Sequence, residues 1–321
     1  MSDTDVVVLR RDIHGMPLSS YVEALRSRLP DRQVRHARTP TEERELITDA
    51  PVVTGLDLRN ELIDAASELE LFQCLYAGTD HLPMEELAER GVAVTNASGI
   101  HGPPVAEWVL GMILTFTRRL HEGTRRQDRR EWRHFQAFEL AGSTVTVVGL
   151  GHIGQAIVQR LGGFDVDTIG VRYTPEKGGP TDEVVGFDDQ AFHAALARTD
   201  YLVLACPLTG RTEGLVDEAA LETLPPTSVL VNIARGPVVD TDALLDELRA
   251  EGIAGAALDV TDPEPLPETH PLWTLDNVRI TSHVAGHTPK YYDRVAQILA
   301  GNLTTVDETG AYEDLENQVP Q

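Results

Sequence analysis

Through the first hundred residues, short apolar runs alternate with stretches whose apolar residues recur every three or four positions. The runs are VVVLR (6–10), VVTG (52–55), LFQCLY (71–76) and VAVTN (92–96). Being short and rich in β-branched and aromatic residues, they read as buried strands. Between them YVEALRSRL (21–29), LRNELIDAASEL (58–69) and PMEELAER (83–90) read as amphipathic helices. Strands alternating with helices predict a parallel sheet, because parallel neighbours need a crossover and the helix supplies it.

A second series begins near Ser143: STVTVVG, DTIGV, YLVLAC, SVLVNIA, GAALDV and NVRITS. GQAIVQRLG, QAFHAALART and DTDALLDELRAE separate its earlier members. The expected fold is therefore α/β, with two doubly wound parallel-sheet domains. Between the series, PPVAEWVLGMILTFTRRL (103–120) is apolar nearly all round and reads as a helix starting after Pro104, buried between domains or in a dimer interface. After His287 the pattern turns helical again over YYDRVAQILAGNLTTVDET (291–309), and the acidic tail beyond is expected to fray. If the last helix packs back on the first unit, residues 1–98 and 288–321 form one discontinuous domain with residues 99–287 inserted in it.

Composition narrows the partners. With 27 basic against 51 acidic residues the net charge is −24, which argues against nucleic acid or an anionic membrane. No stretch reaches the roughly 18 apolar residues that span a bilayer. MSDTDVVVLR lacks the pattern of a signal peptide, so a cytoplasmic protein is expected. Only Lys177 and Lys290 are lysines against 25 arginines; acid excess with lysine depletion suggests adaptation to high salt, where self-repulsion is screened. Cys74 and Cys206 sit in apolar runs without metal-site spacing and read as core thiols.

TVTVVGLGHIGQAIVQRL carries Gly149, Gly151 and Gly154 as G-x-G-x-x-G, after a β-branched strand and at the start of an apolar-periodic helix. That context makes the motif a dinucleotide cradle rather than a chance match. Gly149 permits the tight turn, Gly151 lets the backbone approach a pyrophosphate, and Gly154 lets helix pack on strand. The N–H groups near His152 and Ile153 lie at the helix N-terminus, where anions are favoured. The next strand ends at Val171, where an NAD site usually carries an acid for the ribose 2′-hydroxyl. Here Arg172 offers a forked donor instead, with Tyr173 and Thr174 beside it, which predicts NADP(H) preferred and NAD(H) possible.

Three strands of the second series end in charged groups: SVLVNIA before Arg235, GAALDV at Asp259 and on into TDPEPLP with Glu264, NVRITS before His283. Open parallel sheets bind ligands beyond these strand ends. A histidine general acid, a carboxylate that fixes its ring, and an arginine for a substrate carboxylate suit reduction of a 2-keto acid.

These residues lie in a sequence that resembles the D-isomer-specific 2-hydroxyacid dehydrogenase family over essentially its whole length. The resemblance is carried by LYAGTDHLPMEEL, TNASGIHGPPVAEWVLGMIL, VVGLGHIGQAIVQRL, ACPLTGRTEGLV, LVNIARGPVVDTDALLDEL, ALDVTDPEPLPETHPLW and NVRITSHVAG. It implies a Rossmann cofactor domain (99–287) inserted in a flavodoxin-like substrate domain (1–98 and 288–321), and the catalytic set Arg235, Glu264 and His283. It also implies a carboxylate site at the amides of Ala77 and Gly78 beside Tyr76, Asp259 as partner of the nicotinamide carboxamide, and cofactor contacts at Cys206, Pro207, Thr212, Ala234 and Ala285. The implied assembly is a homodimer built on the cofactor domains. VRYTP is similar to the VRRTP-like turn of the NADPH-using glyoxylate/hydroxypyruvate reductase-like branch, with Tyr173 replacing the second arginine. The alternatives are an NAD-dependent phosphoglycerate- or formate-type dehydrogenase, and a dinucleotide-sensing binding protein on the same fold. No regulatory domain follows the core, which speaks against a long phosphoglycerate dehydrogenase. Formate oxidation needs no acid–base pair, which speaks against that activity. Substrate choice is expected to rest on loops around Tyr76, His101 and Trp273.

Overall fold

A computed structural model describes residues 5–13 and 15–320. The chain separates into two compact units, Met1–Ile100 with Thr288–Gln321, and His101–His287.

The first unit opens with β1 (Val6–Val8), α1 (Leu18–Arg28), β2 (Val34–His36), α2 (Pro40–Ile47), β3 (Val52–Gly55), α3 (Asn60–Ile63), β4 (Leu71–Cys74), α4 (Met84–Glu89) and β5 (Ala93–Thr95). Its five strands are parallel in the order β2-β1-β3-β4-β5, the flavodoxin-like order. The inner strands β1, β3 and β4 are covered on both faces and are buried at every position. Val6 and Val8 face a core shared with α1 and the C-terminal helix Tyr291–Thr309, while Val7 and Leu9 face one shared with Ile47, Leu62 and Leu87. Tyr21 stacks on Tyr292 at 5.4 Å between ring centroids, and the Tyr291 hydroxyl donates to the Leu75 carbonyl at 2.6 Å. These contacts tie the C-terminal helix to this unit.

Four sequence expectations need correction here. The 58–69 stretch is helical only over Asn60–Ile63. The 21–29 helix starts earlier, at Leu18. β2 was not expected: its sequence, VRH, is polar because it is an edge strand with one half-open face. The acidic tail does not fray. Leu315 is buried, Asn302 bonds the backbone of Glu316 in both directions, and the Val319 N–H donates to the Val94 carbonyl at 2.8 Å.

The second unit runs through α5 (Gly102–Thr117), α6 (Leu120–Asp128), β6 (Thr144–Val148), α7 (His152–Leu161), β7 (Asp167–Val171), β8 (Glu183–Val185), α8 (Asp189–Leu196), β9 (Tyr201–Leu204), α9 (Glu218–Thr223), β10 (Val229–Asn232), α10 (Thr241–Arg249), β11 (Gly255–Leu258) and β12 (Val278–Ile280). Seven parallel strands lie in the order β12-β11-β10-β9-β6-β7-β8. The chain winds outward from β6 to β8, then returns to β9 on the other side, which sets the topological switch point between β6 and β9. α5 starts two residues before Pro104, with Pro103 and Pro104 in its first turn, where proline sacrifices no hydrogen bond. It buries Val105, Val109 and Ile113 in the core with α7. β8 was also unexpected; it too is an edge strand with no buried position. Part of the acid excess serves as helix caps: Asp188, Asp217 and Asp240 accept first-turn N–H groups of α8, α9 and α10.

Candidate active site

In a parallel sheet all carboxyl ends share one edge, so the turns after β6, β7, β9, β10, β11 and β12 line up there. The turn after β6 is built by its glycines. Gly149 lies at φ +99°, in the region that glycine favours, and its N–H donates to the Val171 carbonyl at 2.8 Å. A Cβ on Gly154 would sit 1.9 Å from the Gly149 carbonyl oxygen, so only a hydrogen lets α7 press against the turn. A Cβ on Gly151 would meet nothing within 4 Å: the space beyond the turn is open. α7 begins at His152 without a side-chain cap, and its first turn lies at the helix N-terminus, where an anion is favoured. These features fit a dinucleotide pyrophosphate.

At the tip of β7, Arg172 donates through Nη1 to the Gly178 carbonyl at 2.5 Å, which holds its guanidinium against the short turn that follows Thr174. Tyr173 is 73% exposed. The guanidinium of Arg211, in the loop after β9, lies 4.8 Å from its ring centroid. Nothing in the spacing of ACPLTGRTEGLV points Arg211 at this tip, so the sequence passed over it. In the same loop Thr212 is buried and donates to the Pro207 carbonyl at 2.6 Å. The Cys206 thiol is pushed up to about 11 by burial, so it is neutral at ordinary pH. Cys74 in the first unit is likewise a free, buried thiol.

Beyond β10, the Asn232 side chain accepts from the Ala234 N–H at 3.0 Å and donates to the Arg235 carbonyl at 3.1 Å, shaping the turn. Arg235 is exposed, with Nη1 on the Ala234 carbonyl at 2.7 Å. A Cβ on Gly236 would lie 2.0 Å from the Thr261 carbonyl oxygen, so the glycine lets this turn close on the segment leading to Glu264.

His283 follows β12. Its Nδ1 lies 2.7 Å from Glu264 Oε1, and both side chains are roughly half exposed, at 51% and 43%. Nδ1–H to the carboxylate leaves Nε2 as the nitrogen open to a reactant. Asp259, only 3% exposed, accepts from the Thr281 hydroxyl at 2.5 Å and from the N–H groups of Val284 at 2.9 Å and Ala285 at 2.8 Å. Its own carbonyl accepts from the His283 N–H at 2.8 Å. Asp259 thus anchors the loop that carries His283, a task the sequence did not reveal. Three of its roughly four acceptor sites are occupied, which leaves one for the carboxamide role that the resemblance implied.

Tyr76, Ala77 and Gly78 follow β4 in the first unit. The Ala77 carbonyl accepts from Asn96 at 2.8 Å, while the exposed N–H groups of Ala77 and Gly78 meet no acceptor among the described residues. Tyr76 stands edge-on to His81 at 5.8 Å. His101 Nδ1 lies 3.3 Å from the Gly286 carbonyl, and the half-exposed Trp273 donates to the Pro267 carbonyl at 3.0 Å. No group of His, Cys, Asp and Glu suited to a metal occurs among the described residues.

A dinucleotide-type glycine turn at the switch point of one parallel sheet, with a His–Glu pair on the same edge, defines an oxidoreductase site. The chain belongs to the D-isomer specific 2-hydroxyacid dehydrogenase family. Residues 110–285 match the family model described as D-isomer specific 2-hydroxyacid dehydrogenase, NAD binding domain. The chain is 37% identical to the glyoxylate reductase of Thermofilum pendens over 253 residues, 77% of this chain and 74% of that protein. It is 32% identical over 297 residues to the D-3-phosphoglycerate dehydrogenase of Methanocaldococcus jannaschii, 90% of this chain but 56% of that protein. A D-isomer specific 2-hydroxyacid dehydrogenase from Xanthobacter autotrophicus, solved in complex with NADPH and MES, superposes with a TM-score of 0.76 at 28% identity, covering 99% of this chain and 98% of that one.

Proposed function

We propose that the protein reduces 2-keto acids to D-2-hydroxy acids, reversibly, with NADPH preferred over NADH. The observation that carries the chemistry is the His283–Glu264 pair on the sheet edge that also holds the glycine turn. A nicotinamide cofactor, when bound, donates or accepts the hydride. His283 Nε2 gives a proton to the keto oxygen during reduction and takes it from the hydroxyl during oxidation. Glu264 orients the ring and balances its charge in the protonated state. Arg235, with most of its donors uncommitted, takes the substrate carboxylate and polarises the carbonyl. In the first unit, the amides of Ala77 and Gly78, with Tyr76 beside them, are proposed to bind a carboxylate, which makes 1–98 with 288–321 the substrate domain and 99–287 the cofactor domain.

The cofactor contacts proposed are the turn Gly149–Gly154, the tip Arg172–Tyr173–Thr174, and Cys206, Pro207, Thr212, Ala234, Asp259 and Ala285. Preference for NADPH rests on Arg172, whose fork suits a 2′-phosphate where an acid would repel it. The NADPH complex of the Xanthobacter relative supports it. The phosphoglycerate dehydrogenase relative keeps an NAD-dependent activity of that type as the second reading. A homodimer through the second unit is supported by large apolar side chains left on that unit's surface, Trp132 fully and Phe138 at 59%.

The experiment is steady-state turnover of glyoxylate, pyruvate, hydroxypyruvate and longer 2-keto acids with each cofactor. Cofactor binding without turnover of any of them would replace this activity with a dinucleotide sensor.

A further inference from the structure

β7 and β9 flank β6 on opposite sides, so their tips stand about 10 Å apart at the usual strand spacing, with the glycine turn between them. One side-chain contact bridges that gap. Arg211, from the loop after β9, places its guanidinium 4.8 Å from the ring centroid of Tyr173, the residue next to Arg172 at the tip of β7. The position of Arg211 is fixed from below. The Thr212 N–H donates to the Thr209 carbonyl at 3.0 Å, closing a β-turn with Arg211 at its third position. Thr212 Oγ1 accepts from the Thr209 N–H at 2.8 Å and donates to the Pro207 carbonyl at 2.6 Å. Arg211 itself is exposed, and its N–H groups meet no acceptor among the described residues.

An arginine held over an aromatic ring by the ring's quadrupole spends no N–H donor on a side-chain acceptor. The guanidinium of Arg211 therefore stands, with donors to offer, beside the residue next to Arg172. We propose that Arg211 is a second specificity-determining cation for the cofactor's 2′-phosphate, with Tyr173 the platform that holds it there. This rests on the NADPH reading above. It also gives Tyr173 a use: the ring positions a base from the neighbouring loop.

The test is fluorescence titration of NADPH and NADH, at one low salt concentration, against the full-length protein and the variants Arg211→Ala, Arg211→Lys, Tyr173→Phe and Tyr173→Ala. Arg211→Ala should weaken NADPH roughly tenfold, as expected for loss of one charge-assisted contact, and leave NADH within about twofold. Arg211→Lys should restore part of the loss, and Tyr173→Phe, which keeps the ring, should lose less of the NADPH-to-NADH ratio than Tyr173→Ala. Tyr173→Ala should weaken NADPH less than Arg211→Ala does. Both side chains are exposed, so melting temperatures should not move. A ratio of NADPH to NADH affinity unchanged by Arg211→Ala overturns the inference, whether both cofactors weaken together or neither does. The wild-type ratio reports separately on the NADPH reading. A protein that favours NADPH and keeps that preference in Arg211→Ala retains the reading and loses only Arg211.

Discussion

Glu264 Oε1 lies 2.7 Å from Nδ1 of His283, a residue whose backbone is left-handed at φ +55° and pinned by its own N–H to the Asp259 carbonyl. A non-glycine residue in that region is uncommon and has to be held there by its surroundings. Ring and backbone are thus fixed independently, one by Glu264 and one by Asp259. His283→Ala should lower kcat by about 10²–10⁴, the usual cost of losing a general acid, and leave cofactor binding largely intact. Glu264→Gln should lower kcat less, since the ring keeps a partner but loses the balancing charge. Wild-type turnover in His283→Ala would remove the acid from this position.

Asp259→Asn tests the anchor. The carboxylate accepts three hydrogen bonds, from Thr281, Val284 and Ala285, and an amide can present only one acceptor oxygen. One buried N–H loses its partner and faces another donor, at a cost of about 1–3 kcal/mol. The variant should melt lower and turn over more slowly, while a wild-type melting temperature with slow turnover would assign Asp259 to the cofactor alone.

Much of this arrangement was legible in the sequence, for physical reasons. Strands covered on both faces must be apolar at every position, as Val6–Val8 and Thr144–Val148 nearly are, so they stand out. Glycines that bear on backbone, such as Gly149 and Gly154, fall at fixed spacing because one turn requires them. VRH and EVV, each at a sheet edge and incompletely buried, do not stand out as apolar runs. The helical periodicity of 58–69 misled because Leu58, Leu62, Ile63 and Leu69 are buried by short turns on the sheet rather than by one continuous helix. The acidic tail looked free because its hold is a buried leucine and backbone bonds, which composition does not show. Arg211 and Asp259 took their tasks from neighbours distant in sequence, Tyr173 and the 281–285 loop.

Both cysteines should make the fold sensitive to alkali. Burial pushes the thiols of Cys74 and Cys206 from 9.0 up to about 11. The unfolded chain releases these protons first, so their contribution is fully present below about pH 9 and is lost as pH rises through 11. Buried Tyr21 and Tyr201, also shifted upward, act in the same direction. Urea midpoints should fall across that window, and Cys206→Ala should make the fall shallower. Equal slopes in the two proteins would clear Cys206 of any part in it.

The charge of −24 should make stability salt-dependent. Ion pairs exposed on both partners, such as Arg44–Glu61 at 63% and 70% and Arg198–Glu183 at 52% and 43%, contribute at most about 1 kcal/mol each. Among the described residues most acidic side chains have no cation within ion-pair distance, and lowering the self-repulsion by screening should matter more than losing those pairs. The melting temperature should rise from low to multi-molar KCl. A value that stays flat or falls would mean the lysine depletion reflects something other than salt.

Arg172 should decide between the cofactors. Its Nη1 is committed to the Gly178 carbonyl at 2.5 Å, which tethers the guanidinium and leaves its other donors at the tip of β7. Charge-assisted hydrogen bonds from those donors to a 2′-phosphate are worth about 1.5–3 kcal/mol, and each 1.4 kcal/mol is about tenfold in affinity. Arg172→Ala should therefore weaken NADPH by roughly ten- to a hundred-fold and leave NADH almost untouched. Arg172→Asp should go further, because a carboxylate repels the phosphate and accepts from the ribose hydroxyl of NADH. Kd and kcat/KM are compared for both cofactors at one fixed salt concentration, since salt screens this contact. The opposite pattern is a wild type that prefers NADH, or an Ala variant that weakens both cofactors alike. Either would make Arg172 one more of the 25 arginines, held to Gly178 for the sake of the turn and not for the phosphate.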